Sequence, residues 1–134
     1  MAKLIALLSV GCAALAAACA GANQHQESGE YLFAKNCAAC HGDNARGGGI
    51  MSPYLKVPAP DLTLIAARRG GHFPDEEIYR IVDGQSSENL TPNRHMPIWG
   101  YEFFGSDSDD ERAHGRASAR VNSIVAFLKS RQQR

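Results

Sequence analysis

Residues 36–42 of this 134-residue chain read Asn36-Cys37-Ala38-Ala39-Cys40-His41-Gly42. The two thiols stand three positions apart, which on a helix is one turn and one face. An imidazole follows the second thiol directly. Upstream, Ser28 is a residue type that caps helix N-termini. Gly29 to Ala39 follows as a predicted helix, with Gly29 and Phe33 four apart on a shared face. Downstream, Gly42 to Gly49 reads Gly-Asp-Asn-Ala-Arg-Gly-Gly-Gly and is loop by composition. Pro53, Pro58 and Pro60 keep the next stretch extended.

The N-terminal residues carry a different message. Lys3 precedes an uncharged apolar run, Leu4 to Ala18, and small residues follow. Charge, apolar run and small residues in that order make a secretory signal, predicted over residues 1–22, with residues 23–134 as one domain. The run is short for a bilayer span; an uncleaved anchor is the alternative. Ala18-x-Ala20 and Ala20-x-Ala22 both suit a small-x-small cleavage site. Cys19, preceded by Leu15-Ala16-Ala17-Ala18, also resembles a lipobox with its leucine one position early. A diacylated Cys19 would anchor the domain to a membrane face. Asn23 to Glu27 is a polar tether.

Cysteine usage then simplifies. Of four cysteines, Cys12 and Cys19 belong to the leader region, and Cys37 and Cys40 remain. Export implies an oxidising compartment where disulfides persist. A bond between Cys37 and Cys40 closes too small a loop to staple a domain, so the pair needs another purpose. Lys plus Arg number 14 and Asp plus Glu number 14. That balance, with no basic face, excludes nucleic acid as a partner.

The rest of the chain is helical in pattern. A second helix is predicted to start near Asp61, with Leu62, Leu64 and Ile65, and to end at Gly70-Gly71. A third opens with Pro74 at its first position and Asp75, Glu76 and Glu77 in its first turn. Its apolar stripe is Ile78, Ile81 and Val82, and Gly84 follows it. Gln85 to Arg94 and Gly105 to Ser118 read as loops, the second including the acidic run Ser106 to Glu111. A last helix is predicted from about Ala119 to Lys129, with Val121, Ile124, Val125 and Leu128 at spacings of three and four. No alternating strand pattern occurs, so the fold class is all-α. So few helices with so much loop make a poor core unaided, and a prosthetic group would fill it.

Cys37-x-x-Cys40-His41 is the attachment signature of a c-type haem. One turn of helix brings both thiols within reach of two vinyl groups on one porphyrin edge, and the imidazole lies below the iron. Two other readings of these residues stand beside it. A zinc site could use Cys37, Cys40 and two of His41, His72 and His95, although the second pair lacks the usual spacing. A thioredoxin-type redox pair expects a βαβ context that is absent.

A second axial ligand must come from farther along, and the candidates are Met51, Met96, His25, His72, His95 and His114. Arg94-His95-Met96-Pro97-Ile98-Trp99-Gly100 is the favoured segment, because Pro97 forbids helix and leaves Met96 on a stiff loop. Met51 is the runner-up, but it follows His41 closely in a glycine-rich loop. His95, adjacent to Met96, is expected at the surface.

From about Glu27 to Gln132 the chain resembles a class I cytochrome c, a few helices wrapped around one covalent haem. By that resemblance Gly29 and Phe33 pack on the C-terminal helix at Ile124 to Leu128. Cys37 and Cys40 hold one haem c, with His41 and Met96 as axial iron ligands. Pro53-Tyr54-Leu55 stands where the family has Pro-x-Leu, which implies that the Pro53 carbonyl orients His41. Met96-Pro97-Ile98-Trp99-Gly100 after Asp83-Gly84 is similar to a bacterial subgroup, although the approach Thr91 to His95 departs from it; the acidic loop Ser106 to Glu111 has no counterpart in mitochondrial-type cytochromes.

The implied function is single-electron transfer in the periplasm, without enzymatic turnover, to and from redox partner proteins. The membrane enters only through a lipid anchor at Cys19. The alternative is the haem subunit of a periplasmic dehydrogenase, or a small haem enzyme with an open sixth site.

Overall fold

The computed structural model describes residues 28–86, 96–105 and 111–133. The leader, the tether with His25, the loop from residue 87 onward, His95 and the acidic residues 106–110 lie outside the described residues. The helices are α1 (Gly29–Asn36), α2 (Ala38–His41), α3 (Asp75–Asp83), α4 (Trp99–Phe104) and α5 (Glu111–Ser130). Short 3-10 turns occupy Ser52–Tyr54, Leu62–Leu64 and Ala67–Arg69. Among the described residues there is no strand, so the all-α expectation holds. None of their helices is long and apolar enough to cross a membrane.

α1 is eight residues long, too short to persist alone in water. Ser28 caps it, its hydroxyl accepting from the Tyr31 N–H at 3.2 Å. What holds it is α5, which crosses it closely. A Cβ on Gly29 would overlap the Ser123 carbonyl and stand 2.8 Å from Phe127 Cβ. That close approach lets the Phe33 and Phe127 rings meet with centroids 5.2 Å apart. The expected packing of Gly29 and Phe33 on the C-terminal helix is therefore present.

α5 begins at Glu111, well before the predicted Ala119. The predicted loop Gly105 to Ser118 is thus helix from residue 111. Ala113 and Ala117 are buried and continue the stripe of Val121, Ile124, Val125 and Leu128 toward the N-terminus. Small residues at helical spacing carry this part of the stripe, and polar residues with Gly115 surround them. Composition alone therefore reads the segment as loop.

The predicted helix at Asp61 is instead a pair of 3-10 turns. An α-helix would pair the Ala66 N–H with the Leu62 carbonyl. Here the side-chain amide of Gln132 stands between them. Its Oε1 accepts from Ala66 N–H and its Nε2 donates to Leu62 O, both at 2.8 Å. The same Nε2 also donates to Leu128 O at 2.8 Å. One amide thus satisfies the backbone groups that helix would have paired. Asp61 caps the first turn, accepting from Thr63 N–H at 2.8 Å, and Gly70 ends the second at φ +66°.

α3 follows its prediction closely, except that Pro74 is the capping residue before it. Ile78 and Val82 are buried, and Gly84 closes the helix at φ +105°. Lys129 of α5 donates to both carboxylate oxygens of Asp75 at 2.9 Å. α4 is an addition that periodicity did not predict. It packs on α5, and Trp99 lies against Phe103 with centroids 5.5 Å apart.

Candidate functional site

Cys37 joins α1 to α2 with little break. Its N–H donates to Phe33 O at 2.8 Å, and its carbonyl accepts from His41 N–H at 2.9 Å. Cys40 and His41 are therefore held one turn beyond Cys37. A helix end leaves its last carbonyls without partners, and here the following loop supplies them in sequence. Gly42 N–H donates to Ala38 O, Met51 to Ala39 O, Gly49 to Cys40 O and Gly47 to His41 O, at 2.7–3.2 Å. The glycines make this possible. Gly42 turns the chain at φ +74°, and a Cβ on Gly49 would stand 2.5 Å from the Ala38 carbonyl oxygen. Ala45, at φ 61°, takes the left-handed conformation with its methyl buried. The loop that composition marks is thus the cap of the Cys-x-x-Cys-His turn.

The His41 ring meets a carbonyl, but not that of Pro53. Nδ1 lies 3.4 Å from Pro60 O, and Pro53 sits exposed in the Ser52–Tyr54 turn. Pro60-Asp61-Leu62 repeats the Pro-x-Leu spacing nineteen residues after His41. That second match was the available signal. Nδ1–H donating to a carbonyl leaves Nε2 as a lone-pair donor toward a metal. Burial pushes the His41 pKa down, partly offset by the Pro60 carbonyl, which favours that neutral form. The Cys37 thiol is pushed up to about 12 by burial first and by Cys40 second. Cys37 and Cys40 form no disulfide.

These groups face a cavity of about 470 Å³, within the usual size range for a cofactor site. Cys37, Cys40, His41, Met96, Pro97 and Trp99 all line it. Met96 is half-buried against the hydrophobic core. The floor is apolar, from Phe33, Ile65, Ile78, Val82, Ile124 and Leu128. The structure therefore brings together the four side chains singled out from the sequence, although Met96 comes from 55 positions beyond His41 in the chain. Trp99 joins them.

Met51, His72 and His114 are exposed and do not line the cavity; His114 instead contacts the Phe104 ring, 3.8 Å between centroids. His25 and His95 lie outside the described residues. Among the described residues no three His, Cys, Asp or Glu side chains gather as a metal site, so His72 does not complete a zinc centre with Cys37, Cys40 and His41.

Polar lining residues that periodicity could not reveal are Asn36, Arg68 and Arg69. Arg68 donates to Asp61 O at 2.8 Å, and Arg69 pairs with Glu77. Among the described residues no carboxylate lines the cavity. An apolar slot with two thiols, an imidazole, a thioether and two guanidinium groups suits a flat, iron-bearing, partly acidic macrocycle. The family model described as "Cytochrome C oxidase, cbb3-type, subunit III" matches residues 24–113. No curated protein and no solved structure matches the chain significantly.

Proposed function

We propose a function from this premise: the chain belongs to the cytochrome c family whose model is described as cytochrome c oxidase, cbb3-type, subunit III. Such a domain carries covalently bound haem c and serves haem-based electron transfer. The finer reading is a single-electron carrier of the cell envelope, with the haem on Cys37 and Cys40 and the iron between His41 and Met96. Residues 1–22 would direct export, and Cys19 would supply a lipid anchor if the lipobox is used.

The observation that supports this reading is the meeting of Cys37, Cys40, His41 and Met96 on one apolar cavity. When bound, the haem supplies a one-electron ferric/ferrous couple. The protein does the rest. Cys37 and Cys40 would hold the haem through two thioether bonds, each the product of adding a thiol S–H across a vinyl double bond with no group lost. The Pro60 carbonyl orients His41. The Met96 thioether, as the second iron ligand, would favour the ferrous state and raise the potential. It would also deny that place to oxygen, peroxide or nitrite. The apolar floor keeps water away, which limits reorganisation during transfer. Cys40 is only half-buried, and Ile50, Met51 and Tyr54 beside it are exposed. Electrons would leave through that edge to a redox partner protein.

The test is spectroscopic. Acid–acetone should leave the colour on the protein. The ferric protein should show the weak near-infrared sulfur-to-iron band. Met96→Ala should abolish that band, lower the potential and admit cyanide, while Met51→Ala should leave it in place. A band that survives Met96→Ala assigns the ligand elsewhere. A native ferric protein that binds cyanide or peroxide rapidly at neutral pH is the haem enzyme instead.

A further inference from the structure

Met96 is held by an interlock that the family assignment does not describe. The end of α3 and the start of α4 fit together through two glycines, each facing a bulky neighbour on the other segment. A Cβ on Gly84 would overlap the Ile98 side chain, with Ile98 Cβ only 3.1 Å away. A Cβ on Gly100 would overlap the Asp83 carboxylate and stand 2.6 Å from the Asp83 carbonyl oxygen. Residues 83–84 and 98–100 thus clasp each other directly. Gly84 also holds φ +105°, a conformation that L side chains avoid.

Gly100 is the more telling of the two. It lies inside α4, where alanine would favour helix. The approach of Asp83 gives glycine a reason to be there. Gly115, inside α5, is the contrasting case, because a Cβ there meets nothing within 4 Å.

We infer that Gly84 and Gly100 are positioning residues for the sixth iron ligand: their interlock with Ile98 and Asp83 fixes the segment that presents Met96 to the cavity. The inference rests on the Met96 reading above. Met96 and Pro97 directly precede the clasped residues, and both line the cavity with Trp99. Widening the clasp by one methyl group moves that segment away from α3. The thioether then leaves the place from which it reaches the iron, while the Cys37–His41 turn is untouched.

The test uses the holoprotein and four variants. Gly100→Ala should keep covalent haem and full helicity, yet weaken or lose the near-infrared band and lower the potential. Ile98→Ala loosens the clasp without overfilling it, and Ile98 is half exposed (47%), so folding should survive. Its ferric form should bind added imidazole about tenfold more tightly, because the methionine-ligated state is less populated against the competitor. Gly115→Ala should change neither readout. Met96→Ala reports on the ligand itself.

If Gly100→Ala and Ile98→Ala both match the unsubstituted protein while Met96→Ala loses the band, the clasp is overturned and the ligand stands. If Met96→Ala retains the band, ligand and clasp both fall. If Gly115→Ala disturbs the band as Gly100→Ala does, the effect is a general one of helix substitution, and the clasp is overturned.

Discussion

The two walls of the cavity are built on different principles. The Cys37–His41 wall is backbone work over a short span of chain. Four carbonyls of one helix end are met by N–H groups of the next ten residues, and side chains matter little to it. The Met96 wall is assembled from distant pieces. Met96, Pro97 and Trp99 hold their place through steric fit to α3 and through α4 resting on α5. The first wall is therefore specified locally and rigidly. The second depends on how well three helices pack, so the side chains it presents to the cavity are the more easily displaced.

The largest expected effect strikes the first wall. In Gly49→Ala the new methyl would meet the Ala38 and Ala39 carbonyls, which are backbone and cannot turn aside. Overfilling of this kind costs about 1–3 kcal/mol, and the upper end is expected here. Denaturant unfolding of the holoprotein measures it, and the folded fraction should keep its near-infrared band. Stability unchanged by Gly49→Ala, or a band lost with it, would erase the distinction between the walls.

Gln132→Ala comes next. It removes the amide that bridges Ala66, Leu62 and Leu128. Leaving such partly buried groups unmet costs about 1–3 kcal/mol, with water access favouring the lower half. Because Leu62 and Ile65 line the cavity beside Pro60, amide exchange should quicken at residues 62–66 and not at 37–42. Exchange that quickens equally in both segments would mean that the first wall is less self-contained than argued.

Gly115→Ala works in the opposite direction. Alanine in open space inside a helix should stabilise by up to about 1 kcal/mol, seen as a raised melting temperature. It strengthens the half of α5 that bears Ala113 and Ala117. If no gain appears, that half is not the ordered helix on which α4 rests.

The smallest effect lies in acid. The Lys129 ammonium beside Asp75 holds its carboxyl below the usual carboxylate range. The Thr63 hydroxyl does the same for Asp61, aided by Arg46 and Arg68. A lowered folded-state pKa means the unfolded chain takes up protons first. These contributions are therefore present above the ordinary aspartate value of about 4 and fade as pH falls through the lower folded values. Both groups are exposed, so the effect is small and weakened by salt. Asp75→Asn should flatten the acid limb of the stability curve slightly, lowering stability a little above pH of about 5 and leaving it unchanged in strong acid.

The same division explains how far the sequence could be read. Cys37, Cys40 and His41 were legible because their chemistry is local, and a five-residue word encodes it. Met96 was legible only as a choice among candidates, since proximity to the cavity depends on packing. The helix pattern failed where side chains did not carry it. Ala113 and Ala117 are too small to announce a stripe, and the 62–66 helix was undone by an amide remote in the chain. The sequence carries a second Pro-x-Leu word at Pro60 besides the one read at Pro53, and only tertiary geometry shows that the second meets His41. Asn36, Arg68 and Arg69 have no periodic signature at all.

The Gln132 bridge has a consequence for the order of events during folding. It spans 66 positions in sequence to Ala66, and α1 likewise waits for α5 to cover it. Closing such long loops is slow compared with forming a helix turn. The Cys37–His41 turn and its capping loop form from contiguous residues. They can be in place while the wall at residues 62–66 still lacks its last partner. The C-terminal helix is therefore the element that shuts the cleft: until Gln132 reaches Leu62 and Ala66, the cavity lacks one finished wall.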